Sequence, residues 1–137
     1  MSLNNPGFSF NHMMLRVRDQ ERALNFYRDI LGMEITRQRE YESGRFTNTF
    51  LAFPGEATAI ELTYNWDREE PYSKGENFGH LALMVDNVKE ACTYLESQGV
   101  KIKTPPKVMS HGTRMLAFVY DFEENLVELV EPLKDNE

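Results

Sequence analysis

The 137-residue chain has a single cysteine, Cys92, so an internal disulfide is excluded and a reduced, cytosolic setting is the expectation. Basic residues are outnumbered, 15 Lys and Arg against 22 Asp and Glu, which leaves a formal charge of -7 and a pI near 5.0. A surface of that sign repels phosphate backbones and anionic headgroups, and so argues against nucleic acid or a membrane as partner. No run approaches the roughly 20 apolar residues of a spanning helix. Residues 1–9, read as a tail, carry neither the basic nor the apolar segment of a secretion signal. Histidine is scarce too: there are three, His12, His80 and His111.

What is present suffices for one ordinary domain, since 41% hydrophobic and 12% aromatic residues can fill a core. Its organisation shows at mid-chain. Phe78-Gly-His80-Leu-Ala-Leu-Met-Val85 opens an alternating strand in which Leu81, Leu83 and Val85 share one face and His80, Ala82 and Met84 the other. The same design stands at His12-Met-Met-Leu-Arg-Val17, with Met13, Leu15 and Val17 opposite His12, Met14 and Arg16. After the first strand, Asp19 is the N-cap of a helix that Gly32 ends. Strands follow at 33–37, 46–53 and 59–66, with a turn or exposed loop at 38–44. In the second half Asp86 or Asn87 caps a helix ended by Gly99. A short strand at 100–103 is broken by Thr104-Pro105-Pro106, and strands follow at 115–120 and 126–130. His12 precedes Gly32 by 20 positions and His80 precedes Gly99 by 19. Glu61 follows His12 by 49 and Glu128 follows His80 by 48.

This periodicity predicts an α+β chain of two βαβββ repeats, 10–66 and 80–131, joined by a polar connector at 67–79 and followed by a tail at 132–137. The small sheets join to bury a common core. Each glutamate interrupts an apolar strand, where an unpaired charge costs several kcal/mol, roughly, so a partner or a cation is required. A lone strand-head histidine is ordinarily structural, and a lone glutamate at a sheet edge ordinarily faces water. Both recurring at equivalent places point instead to a metal set of His12, Glu61, His80 and Glu128. Two nitrogens with two hard oxygens suit octahedral Ni, Co or Mn, admit Zn, and do not suit a thiolate site. Cys92 lies on a helix stripe and reads as core, His111 as loop, and Glu131 as solvated near the chain end.

From His12 to Glu131 the sequence resembles glyoxalase I, the lactoylglutathione lyases of the vicinal oxygen chelate superfamily. The stretches that carry the likeness are His12 to Val17, Asn25-Phe-Tyr-Arg-Asp-Ile-Leu-Gly-Met33, Glu61-Leu-Thr-Tyr-Asn-Trp66, Phe78 to Leu83 and Val127-Glu-Leu-Val-Glu131. The resemblance implies an open-barrel fold, metal ligands at His12, Glu61, His80 and Glu128, and glutathione contacts from Arg16 and Asn65. With a histidine at position 12 and a short connector, the chain is similar to the nickel- or cobalt-activated short form more than to the zinc form. The implied reaction isomerises the hemithioacetal of methylglyoxal and glutathione to S-lactoylglutathione, with glutathione as cosubstrate and Glu128 as the base. The family implies a homodimer with two sites, each taking His12 and Glu61 from one chain and His80 and Glu128 from a second copy; pairing within one chain would satisfy the same chemistry. Two alternatives share the scaffold: a ring-cleaving dioxygenase using iron, two His and one Glu, and a non-catalytic small-molecule binding protein.

Two departures from the family pattern stand out. Asp121-Phe-Glu-Glu-Asn125 replaces the usual Asp-Pro-Asp-Gly turn, with Asn125 expected in a left-handed conformation. Glu76 stands where some members carry an arginine, which leaves Lys74 or Arg114 as basic substitutes.

Overall fold

The computed structural model describes residues 5–110 and 112–133, so the loop reading of His111 lies outside the described residues. Strand β1 (His12–Val17) leads into α1 (Gln20–Leu24), which widens into a π-helical turn over Asn25–Ile30. There follow β2 (Glu34–Tyr41), β3 (Phe46–Ala52), β4 (Ala59–Asn65), β5 (Leu81–Met84), α2 (Val88–Ser97), β6 (Ile102–Val108), β7 (Met115–Tyr120) and β8 (Leu126–Val130). The helix boundaries have local causes. The Asp19 carboxylate accepts from Arg22 N–H and the Asn87 side chain from Glu90 N–H, each satisfying a donor of the first turn. Gly32 and Gly99 end the helical segments at φ +89° and +85°, a region that costs other residues about 1 kcal/mol or more.

Two four-stranded sheets result, ordered β1-β4-β3-β2 and β5-β8-β7-β6, each with one parallel pair at its start and neither closed into a barrel. The duplicated α+β architecture follows the sequence pattern. One face of each sheet is packed: Val17, Leu51 and Leu62 from the first, and Ala117, Val119, Val127 and Leu129 from the second, are all nearly free of solvent exposure. These residues join Phe26 and Tyr27 of the π-helical turn and Val88, Cys92 and Leu95 of α2 in one continuous core. The repeats are therefore held back to back through their helices, which leaves the other face of each sheet open.

Polar bonds lock that junction. The buried Asp121 carboxylate accepts from Tyr27 O–H at 2.6 Å, from the backbone N–H groups of Glu123 and Asn125 at 2.8 Å each, and from the Asn125 amide at 3.0 Å. Burial and the adjacent Asp121 charge push the Tyr27 phenol well above its ordinary pKa. Glu123 accepts from Arg18 N–H and Asp19 N–H, and Tyr94 O–H donates to the Ile30 carbonyl at 2.7 Å.

Four sequence expectations need correction. The stretch 38–41 is strand, because Gln38 donates to Thr49 Oγ1 and the ladder to β3 runs through Tyr41; only the residues before Phe46 form the turn. Strand β6 continues through Pro105 and Pro106 to Val108. It is an edge strand whose ladder breaks between Thr104 and Lys107, where the prolines lack an N–H to give. Glu131 is not simply solvated, since its two oxygens accept from Val88 N–H and Met115 N–H and so tie α2 to β7. In the altered turn Glu124, not Asn125, has positive φ (66°), and the Asn125 side chain is spent on Asp121.

Candidate active site

On the open face of the first sheet, the β1–β4 register sets Met14 beside Glu61, so that His12, one step back along the same face, reaches the carboxylate diagonally. His12 Nε2 stands 3.1 Å from Glu61 Oε1. On the second sheet Ala82 pairs with Glu128, and His80, just before β5, brings its Nε2 to 3.2 Å from Glu128 Oε1. Exposure matches as closely as distance: the glutamate side chains are 14% and 15% accessible and the histidines 34% and 39%. Each carboxylate is thus mostly withdrawn from water yet open along one edge. Among the described residues neither has another hydrogen-bond partner.

Each half-site has a third member that sequence reasoning missed. Phe50 lies opposite Glu61 in the β3–β4 ladder, its ring edge-on to His12 at 5.1 Å and 80°. Phe118 lies opposite Glu128 in the β7–β8 ladder and meets His80 at 5.1 Å and 81°. Such T-shaped contacts fix the plane of an imidazole. The signal was available in that both phenylalanines sit on the third strand of their repeat, in step with the glutamate of the fourth. On the first sheet His12 Nδ1 is in hydrogen-bond contact with Asn11 Oδ1, which turns Nε2 toward a carboxylate oxygen of Glu61. Two electron-rich atoms at that distance require a proton or a cation between or beside them.

The chain brings His12 to Glu61 and His80 to Glu128, but on different sheets. Among the described residues no group of three or more His, Cys, Asp or Glu side chains is positioned to hold one metal ion. Arg16 is exposed on the His12 face of β1, and Asn65, at the end of β4 on that same face, donates to Tyr72 O–H at 2.9 Å. Lys74 lines a cleft with Arg16, whereas Arg114, just before β7, donates to the Glu131 carbonyl. Cys92 is buried, and burial together with the Glu96 charge raises its thiol pKa, as suits a core residue and not a nucleophile.

The fold and this paired constellation define a class. The chain belongs to the Glyoxalase/Bleomycin resistance protein/Dioxygenase superfamily, whose family model matches residues 9–129. Within it, the chain is 40% identical over 122 residues to the lactoylglutathione lyase of Neisseria meningitidis serogroup B, covering 88% of each chain. Among solved structures, glyoxalase I from Zea mays superposes with a TM-score of 0.81 at 33% identity, over 90% of this chain and 47% of the maize chain, so this chain spans about half of that one. The trypanothione-dependent glyoxalase I of Leishmania major gives a TM-score of 0.78 at 30% identity, over 91% of this chain and 87% of that one.

Proposed function

We propose that this protein is a lactoylglutathione lyase, converting the hemithioacetal of methylglyoxal and glutathione to S-lactoylglutathione. The observation that carries the reading is the repetition of one His–Glu–Phe arrangement on the open faces of both sheets, at 3.1 and 3.2 Å. The named relatives point the same way. Each half-site offers one imidazole nitrogen and one carboxylate oxygen, too few for a divalent ion that takes four to six donors, roughly. Two half-sites complete such a set. In this proposal the protein is a homodimer whose two sites each combine His12 and Glu61 of one chain with His80 and Glu128 of a second copy. The exposed methionines beside the ligands, Met14 and Met84, fit faces that a second copy covers. The division into modules 10–66 and 80–131 about the connector 67–79, and a reducing cytoplasmic setting for the lone thiol, belong to the same reading. No described helix is long and apolar enough to cross a membrane.

The donors fit a divalent ion, Ni2+ or Co2+ before Zn2+, given two nitrogens, two hard oxygens and no thiolate. When bound, the ion supplies Lewis acidity toward the two adjacent oxygens of the substrate. The chain's own residues do the rest. Glu128 takes the proton from the carbon bearing sulfur and returns it to the neighbouring carbon, while the hydroxyl proton passes from one oxygen to the next, so the product is an isomer and nothing is lost. Glu61 serves as the other, mainly structural, carboxylate. Phe50 and Phe118 hold the imidazole planes, and Arg16 and Asn65 hold the glutathione arm.

The test is formation of the thioester from glutathione and methylglyoxal by purified protein, before and after chelation. Activity should vanish on chelation and return on adding Ni2+ or Co2+. A protein loaded with each of Ni2+, Co2+ and Zn2+ in turn that forms no thioester would overturn the proposal.

A further inference from the structure

We propose that Asn48 sets the preference for the carbonyl-derived half of the substrate, by donating a hydrogen bond to an oxygen carried on that half. The inference rests on the lyase reading and deepens it: the favoured substrates are hemithioacetals of 2-oxoaldehydes whose substituent bears a hydroxyl, over those whose substituent is alkyl or aryl. The strand register puts Asn48 on the open face of the first sheet. It pairs with Arg39 of β2 on one side and with Thr63 of β4 on the other, and Thr63 pairs in turn with Arg16 of β1. Glu61 and Phe50 form the neighbouring row on that face, so Asn48 and Glu61 are diagonal neighbours at roughly 7–8 Å. A substrate arm of a few carbons that starts at the carboxylate spans that gap. In the lyase reading the thiol arm, held by Arg16 and Asn65, runs along β1 and β4, which leaves the β3 side to the other half of the substrate.

The amide is braced. Thr63, only 9% exposed, donates its hydroxyl proton to Asn48 Oδ1 at 2.8 Å, which leaves the Nδ2 end with its two N–H groups. Among the described residues those N–H groups have no partner. The neighbouring polar side chains of β3 are spent within the protein: Thr47 accepts from Trp66 Nε1–H and Thr49 from Gln38, each at 2.9 Å. The second repeat shows that the fold asks for no amide here. Where the first carries Arg16, Thr63 and Asn48 in one row, the second carries Met84, Val130 and Leu116 at the equivalent ladder positions. The two sheets thus share one His–Glu–Phe arrangement and differ one row away, polar on the first and apolar on the second. A half-buried asparagine tied to a buried threonine carries a desolvation cost that leucine against valine avoids, and a ligand oxygen that accepts from Nδ2 offsets it.

The measurement compares two thioethers of equal length, S-butylglutathione and S-(3-hydroxypropyl)glutathione, by calorimetric titration of the metal-loaded, full-length protein. Wild type should bind the hydroxypropyl compound the more tightly. Asn48→Leu, which copies Leu116 of the second repeat, should shift the ratio of the two affinities about tenfold toward butyl, the loss that goes with one hydrogen bond. Thr63→Val should shift it the same way by less, about threefold, because the amide remains but is no longer held. In turnover with glutathione, Asn48→Leu should lower kcat/KM for the 3-hydroxy derivative of methylglyoxal about tenfold relative to methylglyoxal itself. Because the binding readout is a ratio within one preparation, a loss of folded protein does not move it, and Thr63→Val carries the same test from a second position. A wild-type preference for butyl, a ratio unchanged in both variants, or no binding of either thioether would each overturn the assignment. Binding is read without turnover: a ratio that follows residue 48 in a protein that makes no thioester overturns the lyase reading alone, and thioester formation with a ratio indifferent to residue 48 overturns this assignment alone.

Discussion

Glu128→Gln should lower kcat by about 10²- to 10⁴-fold, the usual worth of a positioned general base, while metal content stays near that of the wild type. The substitution keeps the shape of the side chain and leaves a carbonyl oxygen near His80, whose Nε2 stands 3.2 Å from the present carboxylate. What the amide lacks is the capacity to take up and hand back a proton. The site around it favours that role: the carboxylate is 15% exposed, so little water competes, and among the described residues it has no hydrogen bond to backbone that would have to break first. Turnover by ultraviolet absorbance of the thioester, with metal content by elemental analysis, separates the two functions. Near-normal kcat would assign the proton transfer to another group.

Asp121→Ala should destabilise the fold by about 3–5 kcal/mol, a large share of the total stability of a domain this size. The carboxylate is 3% exposed and accepts four hydrogen bonds, one of them from Tyr27 in the other repeat. Removing it strands a phenol, two backbone N–H groups and an amide in a dry junction, each at about 1–3 kcal/mol before relaxation. Tyr27→Phe takes away one donor and leaves the acceptor with three, so about 1–2 kcal/mol is expected there. A urea midpoint shifted down at unchanged slope is the signature. A loss under about 1 kcal/mol for Asp121→Ala would mean that the junction carries little of the stability.

The duplicated plan was legible because glycine at helix ends, capping side chains and the alternation in β1, β4, β5 and β8 are local signals. The edge strands were not. Residues 38–41 are polar on both faces of β2, and β6 contains two prolines, so neither carries the half-buried alternation by which a strand announces itself. The structural carboxylates Glu123 and Glu131 were opaque for another reason, since the N–H groups they hold lie far away in the chain. Of the site, His12, Glu61, His80 and Glu128 stood out by repetition. Phe50 and Phe118 needed the antiparallel register, and the cleft that Arg16 shares with the connector needed the connector's path, which Arg68 and Tyr72 set by bonds that no spacing rule reveals.

In the proposed dimer, each His–Glu pair is completed only when a second copy supplies the other. Mixing Glu61→Ala chains with Glu128→Ala chains tests this most directly. Each variant alone carries one defect in every site and should be inactive. In a mixed dimer one site collects both defects and the other neither, so after subunit exchange, with half of the dimers mixed, activity should return to about a quarter of wild type. Mixed dimers that form, as verified by mass, yet remain inactive would contradict the assembly of the site from two chains.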